Sequence, residues 1–231
     1  MPIEIQEAVD ADIYRIMEFQ YDAFIDPHEP FYDVLFPGGK TPAALTDHTE
    51  RTLKWWHEDP SATFLKAVDT ETGEIVGAAK WLVVPTYDAA AEAKKPHEPM
   101  KADWLQDEDD RAFAEYIMDQ IHTKRGRRIT GPHCLLDILF TDPKHHRRGA
   151  GTKLVQWGTS RADEMGVEAF VESTPYGKHL YEQNGFVANE HAYFRPERWS
   201  SRPVIHVEYM HRPAKNGIVN PAAVGNFPEN S

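Results

Sequence analysis

Cysteine is nearly absent from this sequence. One residue in 231, Cys134, rules out an intramolecular disulfide. It opens an apolar run, which favours a buried structural thiol over a nucleophile. No apolar stretch approaches the ~20 residues of a membrane span. The N-terminal MPIEIQEAVDAD lacks a basic segment followed by an apolar one, so no secretory signal is visible. These absences predict a soluble protein in a reducing, cytoplasmic setting. Positive charge is also scarce, with 25 Lys and Arg against 37 Asp and Glu, a net charge of -12. A surface that acidic repels nucleic acid and anionic membranes and favours cationic small molecules or basic peptides. No H-E-x-x-H or cysteine cluster is present, and the adjacent His145 and His146 need not converge, so no metal site is expected.

Against that acidic background, basic and glycine residues gather at His145-His146-Arg147-Arg148-Gly149-Ala150-Gly151. An apolar run, Leu135 to Phe140, precedes them across the turn Thr141-Asp142-Pro143. Leu154, Val155, Gly158, Ala162 and Met165 follow at helical spacing. Strand, glycine-rich basic turn and helix in that order make an anion cradle: glycine lets the backbone approach, and the first helical N–H groups are unpaired. A second basic run, Lys124-Arg125-Gly126-Arg127-Arg128, has no interleaved aromatic for base stacking. It reads as a helix end whose cations complement the dipole, with Gly126 as the stop.

Along the chain, Ile3 to Val9 alternates as a strand, and Asp10 or Asp12 offers an N-cap to a helix running to about Phe24. The stretch from His28 to Gly39 reads as a packed loop. Thr41-Pro42 starts a second helix, which Asp59-Pro60 ends. Ala62 to Val68 and Ile75 to Val84 form a hairpin. Thr86 to Asp103 has no apolar period and predicts an exposed excursion, before a helix from Glu108 to His122. After the cradle helix come a strand at Val167 to Glu172, a short helix from Tyr176 to Asn184, and strands at Phe186 to Tyr193 and Val204 to Met210. The pattern predicts an α/β (α+β) fold, a mixed sheet of about seven strands flanked by helices. Residues 1–212 make one domain with an excursion at 86–132, and 213–231 a loosely packed tail.

The cradle is not a P-loop, because Gly151 is followed by Thr-Lys and His146 stands where the first glycine belongs. Nor is it a dinucleotide fingerprint, since Gly149-Ala150-Gly151 lacks the third glycine. Instead His146-Arg147-Arg148-Gly149-Ala150-Gly151 resembles the coenzyme A signature of the GNAT N-acetyltransferases, with His where Gln or Arg is usual. Leu180-Tyr181-Glu182-Gln183-Asn184-Gly185-Phe186 looks like that family's L-Y-x-x-x-G-F segment. The element order agrees from about residue 3 to 211, and the wording resembles a fungal branch.

The resemblance implies acetyl-CoA as cosubstrate, with its pyrophosphate on backbone N–H groups from His146 through Arg147, Arg148, Gly149, Ala150 and Gly151 to Thr152. It implies a pantetheine arm along the main chain of Leu139, Phe140 and Thr141, where one N–H would polarise the thioester, a contact worth about 3 kcal/mol. Tyr181 becomes the candidate acid, its pKa near 10 suiting a thiolate of pKa near 8.5. For the base, three groups stand open. Asp137 shares a face with Leu135 and Leu139, and burial would raise its pKa; Glu172 and His133 are the others. Phe31, Tyr32, Phe36 and Thr174 are candidate acceptor-pocket residues. The expected activity is direct transfer to a primary amine of a small molecule, with a homodimer compatible. A peptide N-acetyltransferase and a coenzyme A sensor without turnover are the alternatives.

Overall fold

The computed structural model describes residues 2–92 and 99–215. Strands β1 (Ile3–Glu7), β2 (Ala62–Asp69), β3 (Ile75–Val84), β4 (His133–Thr141), β5 (Glu168–Ser173), β6 (Val187–Phe194) and β7 (Ile205–Arg212) form one sheet in the order β1-β2-β3-β4-β5-β7-β6. Only β4 and β5 pair in parallel. The helices are α1 (Asp10–Ile25), α2 (Pro30–Leu35), α3 (Pro42–Glu58), α4 (Ala89–Glu92), α5 (Glu108–Arg128), α6 (Ala150–Met165) and α7 (Lys178–Glu182).

The helices split between the two faces of the sheet. On one, α6 presses Leu154, Val155 and Ala162 onto Ala79, Trp81, Leu136 and Val171. Trp81 is fully buried and donates from Nε1 to the Leu154 carbonyl at 3.1 Å. Its ring lies against bare backbone at Gly158, where an added Cβ would meet indole carbons at 2.1 Å. On the other face, α1, α2 and α3 enclose Phe64, Ala78 and Phe140, while α5 carries Phe113, Ile117 and Ile121 onto β6 and β7.

Local chemistry explains several boundaries. Thr41 caps α3 by accepting from the Ala44 N–H at 3.2 Å, and Pro42 takes the first helical position, as expected. Helix α1 starts differently: Val9 is the cap residue, and Asp12 reaches back to accept from its N–H at 2.8 Å. The stretch after Pro30 expected as loop contains α2, because Pro at the first turn is pre-set for a helix.

One further expectation fails, and another holds only in part. Helix α5 runs through Gly126 to Arg128, since its basic last turn finds carboxylates on the sheet: Lys124 and Arg128 both reach Glu190, at 2.6 and 2.9 Å. The expected excursion from Thr86 to Asp103 is largely exposed where it is described, but it packs at its end and just beyond. Ala102 is fully buried, Leu105 joins the core, and the Trp104 indole donates to the Val34 carbonyl at 3.0 Å. Within the excursion 93–98, and in the tail 216–231, lie outside the described residues.

Candidate active site

Strands β4 and β5 pair from His133↔Glu168 to Leu136↔Val171, and then part. Beyond that point β4 keeps its pairing with β3 but has no registered partner on the β5 side. The last residues of β4, Leu139, Phe140 and Thr141, therefore offer one edge of main chain to an extended ligand, as a sheet edge does to an added strand.

The turn after β4 leads to the cradle. Arg147 and Gly149 both have left-handed backbone, φ 61° and 83°. Such alternation turns successive N–H groups toward one concavity that favours anions. Gly149 caps α6, and the first helical bond runs from the Lys153 N–H to its carbonyl at 3.0 Å, leaving the N–H groups of Ala150, Gly151 and Thr152 without helical partners. The two arginines differ. Arg148 is bound to the buried Asp69 at 2.5 Å and lies 2.6 Å from His145 Nδ1, and that hydrogen bond holds the Asp69 carboxyl low. Arg147 is exposed. The His146 ring folds back, Nε2 lying 3.3 Å from the Thr141 carbonyl.

Tyr181, on α7, is buried beside Phe186 and near Ser173, the last residue of β5. Gly177 makes room for it; a Cβ there would stand 2.8 Å from the tyrosine ring. Burial pushes the phenol well above its ordinary value, so it holds its proton more firmly than sequence reasoning assumed.

The expected bases are engaged elsewhere. Asp137 is the extra residue of a bulge, since Lys80 pairs Ile138 while Trp81 pairs Leu136. The bulge reverses the alternation, so Leu139 joins Leu136 on the α6 side and does not share a face with Asp137. Burial alone would raise the Asp137 carboxyl, but Lys80 at 3.1 Å and Arg125 at 3.7 Å outweigh it and hold it below the usual range. Glu172 takes a bidentate pair from Arg125, at 2.9 and 2.7 Å. His133 is buried; desolvation lowers its pKa, and Nδ1 lies 2.8 Å from the Gly131 carbonyl.

A different carboxylate lies beside the end of β5. Glu29, which caps α2, lies against Thr174, the residue after β5, and its Oε1 is buried without a hydrogen-bond partner. Burial raises its carboxyl above the ordinary value, and Thr174 and His28 offset that only in part. Its one sequence signal was an acidic residue directly before a helix-starting proline. Phe31, Tyr32 and Phe36 do not line one pocket: Phe31 packs on the α5 cluster, and Tyr32 and Phe36 join the core under α1 and α3. Tyr32 and Phe36 are buried, stacked at 4.8 Å, and Tyr32 also stacks on Phe24 at 4.9 Å.

The acetyltransferase (GNAT) family model matches residues 21–186, the greater part of the chain. The chain belongs to the GNAT acetyltransferases. Its fold is similar to that of an arylalkylamine N-acetyltransferase 2 from Aedes aegypti, at 15% identity, 93% of this chain, 100% of that chain and TM-score 0.63. It is similar to a histone acetyltransferase HPA2-related acetyltransferase from Corynebacterium glutamicum, at 19%, 95%, 100% and 0.58. A phosphinothricin acetyltransferase from Sinorhizobium meliloti, solved in complex with acetyl-CoA, gives 15%, 97%, 98% and 0.55. Among curated proteins none matches the sequence. In this GNAT chain the strands part where β4 leads into the turn before α6, and α7, which carries Tyr181, follows β5.

Proposed function

We propose that this enzyme transfers the acetyl group of acetyl-CoA directly to a primary amine of a small molecule. The observation that carries this reading is the opening between β4 and β5, flanked by the α6 N-terminus after β4 and by Thr174 and Tyr181 after β5, with Glu29 against Thr174. The exposed Arg147 and the N–H groups of Ala150, Gly151 and Thr152 hold the pyrophosphate, and the open edge from Leu139 to Thr141 aligns the pantetheine arm.

Direct transfer is favoured by the state of the one cysteine. The one thiol, Cys134, is buried and pushed up to about 11, so no acyl-cysteine step is available to it. The acceptor nitrogen attacks the thioester carbonyl, the C–N bond forms, and the C–S bond breaks. Glu29 takes the ammonium proton, its raised pKa narrowing the gap to an amine of pKa near 10. Tyr181 gives its proton to the departing sulfur as negative charge develops there.

An acidic composition and a carboxylate with one unpaired buried oxygen beside Thr174 both favour a cationic acceptor. The test is coenzyme A release from the full chain with acetyl-CoA and a panel of arylalkylamines, polyamines and peptides with free N-termini. Turnover is expected on small amines. Turnover confined to peptides overturns the acceptor, and tight acetyl-CoA binding without turnover on any amine overturns the enzymatic reading.

A further inference from the structure

Across β5 from the opening, the β6–β7 hairpin gathers two histidines and a glutamate. His191 stands opposite Glu208, and Tyr193 opposite His206, in the strand register. His206 and Glu208 are two residues apart on one strand, so all three side chains share a face. Their convergence is thus fixed by backbone pairing rather than by side-chain reach.

The three ligand atoms converge to within reach of one centre. His191 Nδ1 lies 3.5 Å from Glu208 Oε1, His206 Nε2 lies 4.0 Å from the same oxygen, and the three ligand atoms fall within 4.8 Å of one another. Glu208 is buried, and the buried His206 Nε2 has no hydrogen-bond partner, an arrangement that costs stability unless something fills it. Tyr193 stacks on the His206 ring at 4.3 Å and fixes its orientation. Lys178 engages the other carboxylate oxygen, Oε2, at 3.0 Å and leaves Oε1 to the histidines.

We propose that His191, His206 and Glu208 bind one divalent transition metal of the zinc class, with a fourth position open to solvent. Zinc takes imidazole nitrogen and carboxylate oxygen at about 2.0–2.2 Å, which sets tetrahedral ligand atoms about 3.3–3.5 Å apart, so a small inward rotation of each side chain closes the site. Two imidazoles with one carboxylate select this class over magnesium or calcium, which take all-oxygen sets. The site escaped sequence reasoning because its ligands fit no short motif; they meet only through strand register. Glu208 pairs with Ser173 at the end of β5, so the metal ties the terminal hairpin together beside the acceptor side.

Cobalt(II) titration of the metal-stripped full chain tests this without reference to acetyl transfer. The expected result is a visible absorption band saturating at one equivalent, displaced by zinc. His191→Ala, at a half-exposed position where folding is preserved, weakens binding about tenfold or more, as does His206→Ala, while His57→Ala leaves it unchanged. Absence of a saturable band, or equal affinity in the parent and the His191→Ala protein, overturns the site.

Discussion

The Glu29 carboxylate lies against Thr174, its Oε1 buried and unpaired, where β5 ends beside the parting of the sheet. Desolvation raises its pKa above the ordinary carboxylate value, so the basic form that accepts a proton builds up at higher pH than usual. The rate with saturating acetyl-CoA then rises with pH through that raised value. Glu29→Gln should lower kcat/KM for the amine about 100-fold or more and flatten this acidic limb, with acetyl-CoA affinity unchanged. A pH–rate profile with its acidic limb intact in the variant removes Glu29 from proton transfer.

Asp137 is expected to behave as a structural anion. It balances Lys80 and Arg125 beneath α5, and Asp137→Asn leaves those cations partly uncompensated at a site 27% exposed. A loss of about 1–3 kcal/mol, seen as a lower urea midpoint at pH 7 with unchanged slope, is the expected result. The sign in acid follows from its direction of shift. The folded carboxyl lies below its unfolded value, so its stabilisation is complete above that unfolded value, near 3.9, and fades as pH falls toward the folded one. Parent and variant should therefore converge in acid, while the acidic limb of the rate stays in place. A lost limb with stability intact would return Asp137 to catalysis.

Why periodicity revealed the elements but not the base is a matter of what each feature leaves in sequence. The cradle helix is legible because Leu154, Val155 and Ala162 must repeat at 3.6 to meet the sheet, and Gly149 is legible because a left-handed cap needs glycine. A bulge has no such mark. One unpaired residue at Asp137 moves Leu139 to the opposite face, and simple alternation runs past it. Glu29 sits in a connection without period, and only the fold brings it to Thr174. The segment carrying Ala102, Trp104 and Leu105 has too few apolar residues to show a pattern, yet tertiary packing buries two of them.

The two cradle arginines should separate cleanly. Arg147 is exposed and held in a left-handed conformation at the turn. Arg147→Gln should raise the KM for acetyl-CoA several-fold, weaken its salt dependence and leave the melting temperature within a degree or two. Arg148→Gln leaves the buried Asp69 carboxylate without its cation, so it should lower the melting temperature first. The reverse assignment of effects would place the phosphate on Arg148.

Trp81 and Gly158 offer a test of the scaffold alone. The indole is fully buried and anchored through Nε1 to Leu154, so it has no room to retreat from a new methyl group. Gly158→Ala would gain helix propensity, about 1 kcal/mol, but sets a Cβ 2.1 Å from the ring. Overpacking of this kind costs about 1–3 kcal/mol, enough to reverse the gain. The variant should melt lower, and Gly158→Ala combined with Trp81→Phe should recover part of the loss through the coupling of touching residues.

Tyr181→Phe removes one hydroxyl from a buried ring and leaves the packing on Phe186 in place. Because burial lifts the phenol, it stays protonated across the working pH range and its ionisation should leave no basic limb in the rate. The variant should keep its acetyl-CoA affinity and lose kcat, since protonating the thiolate matters only as the C–S bond breaks. Thiol leaving groups divide the possibilities further. With an acyl donor whose thiol has a much lower pKa, the departing sulfur needs no proton, and the kcat deficit of Tyr181→Phe should shrink. An equal deficit with both donors would assign the hydroxyl to positioning the thioester rather than to acid catalysis.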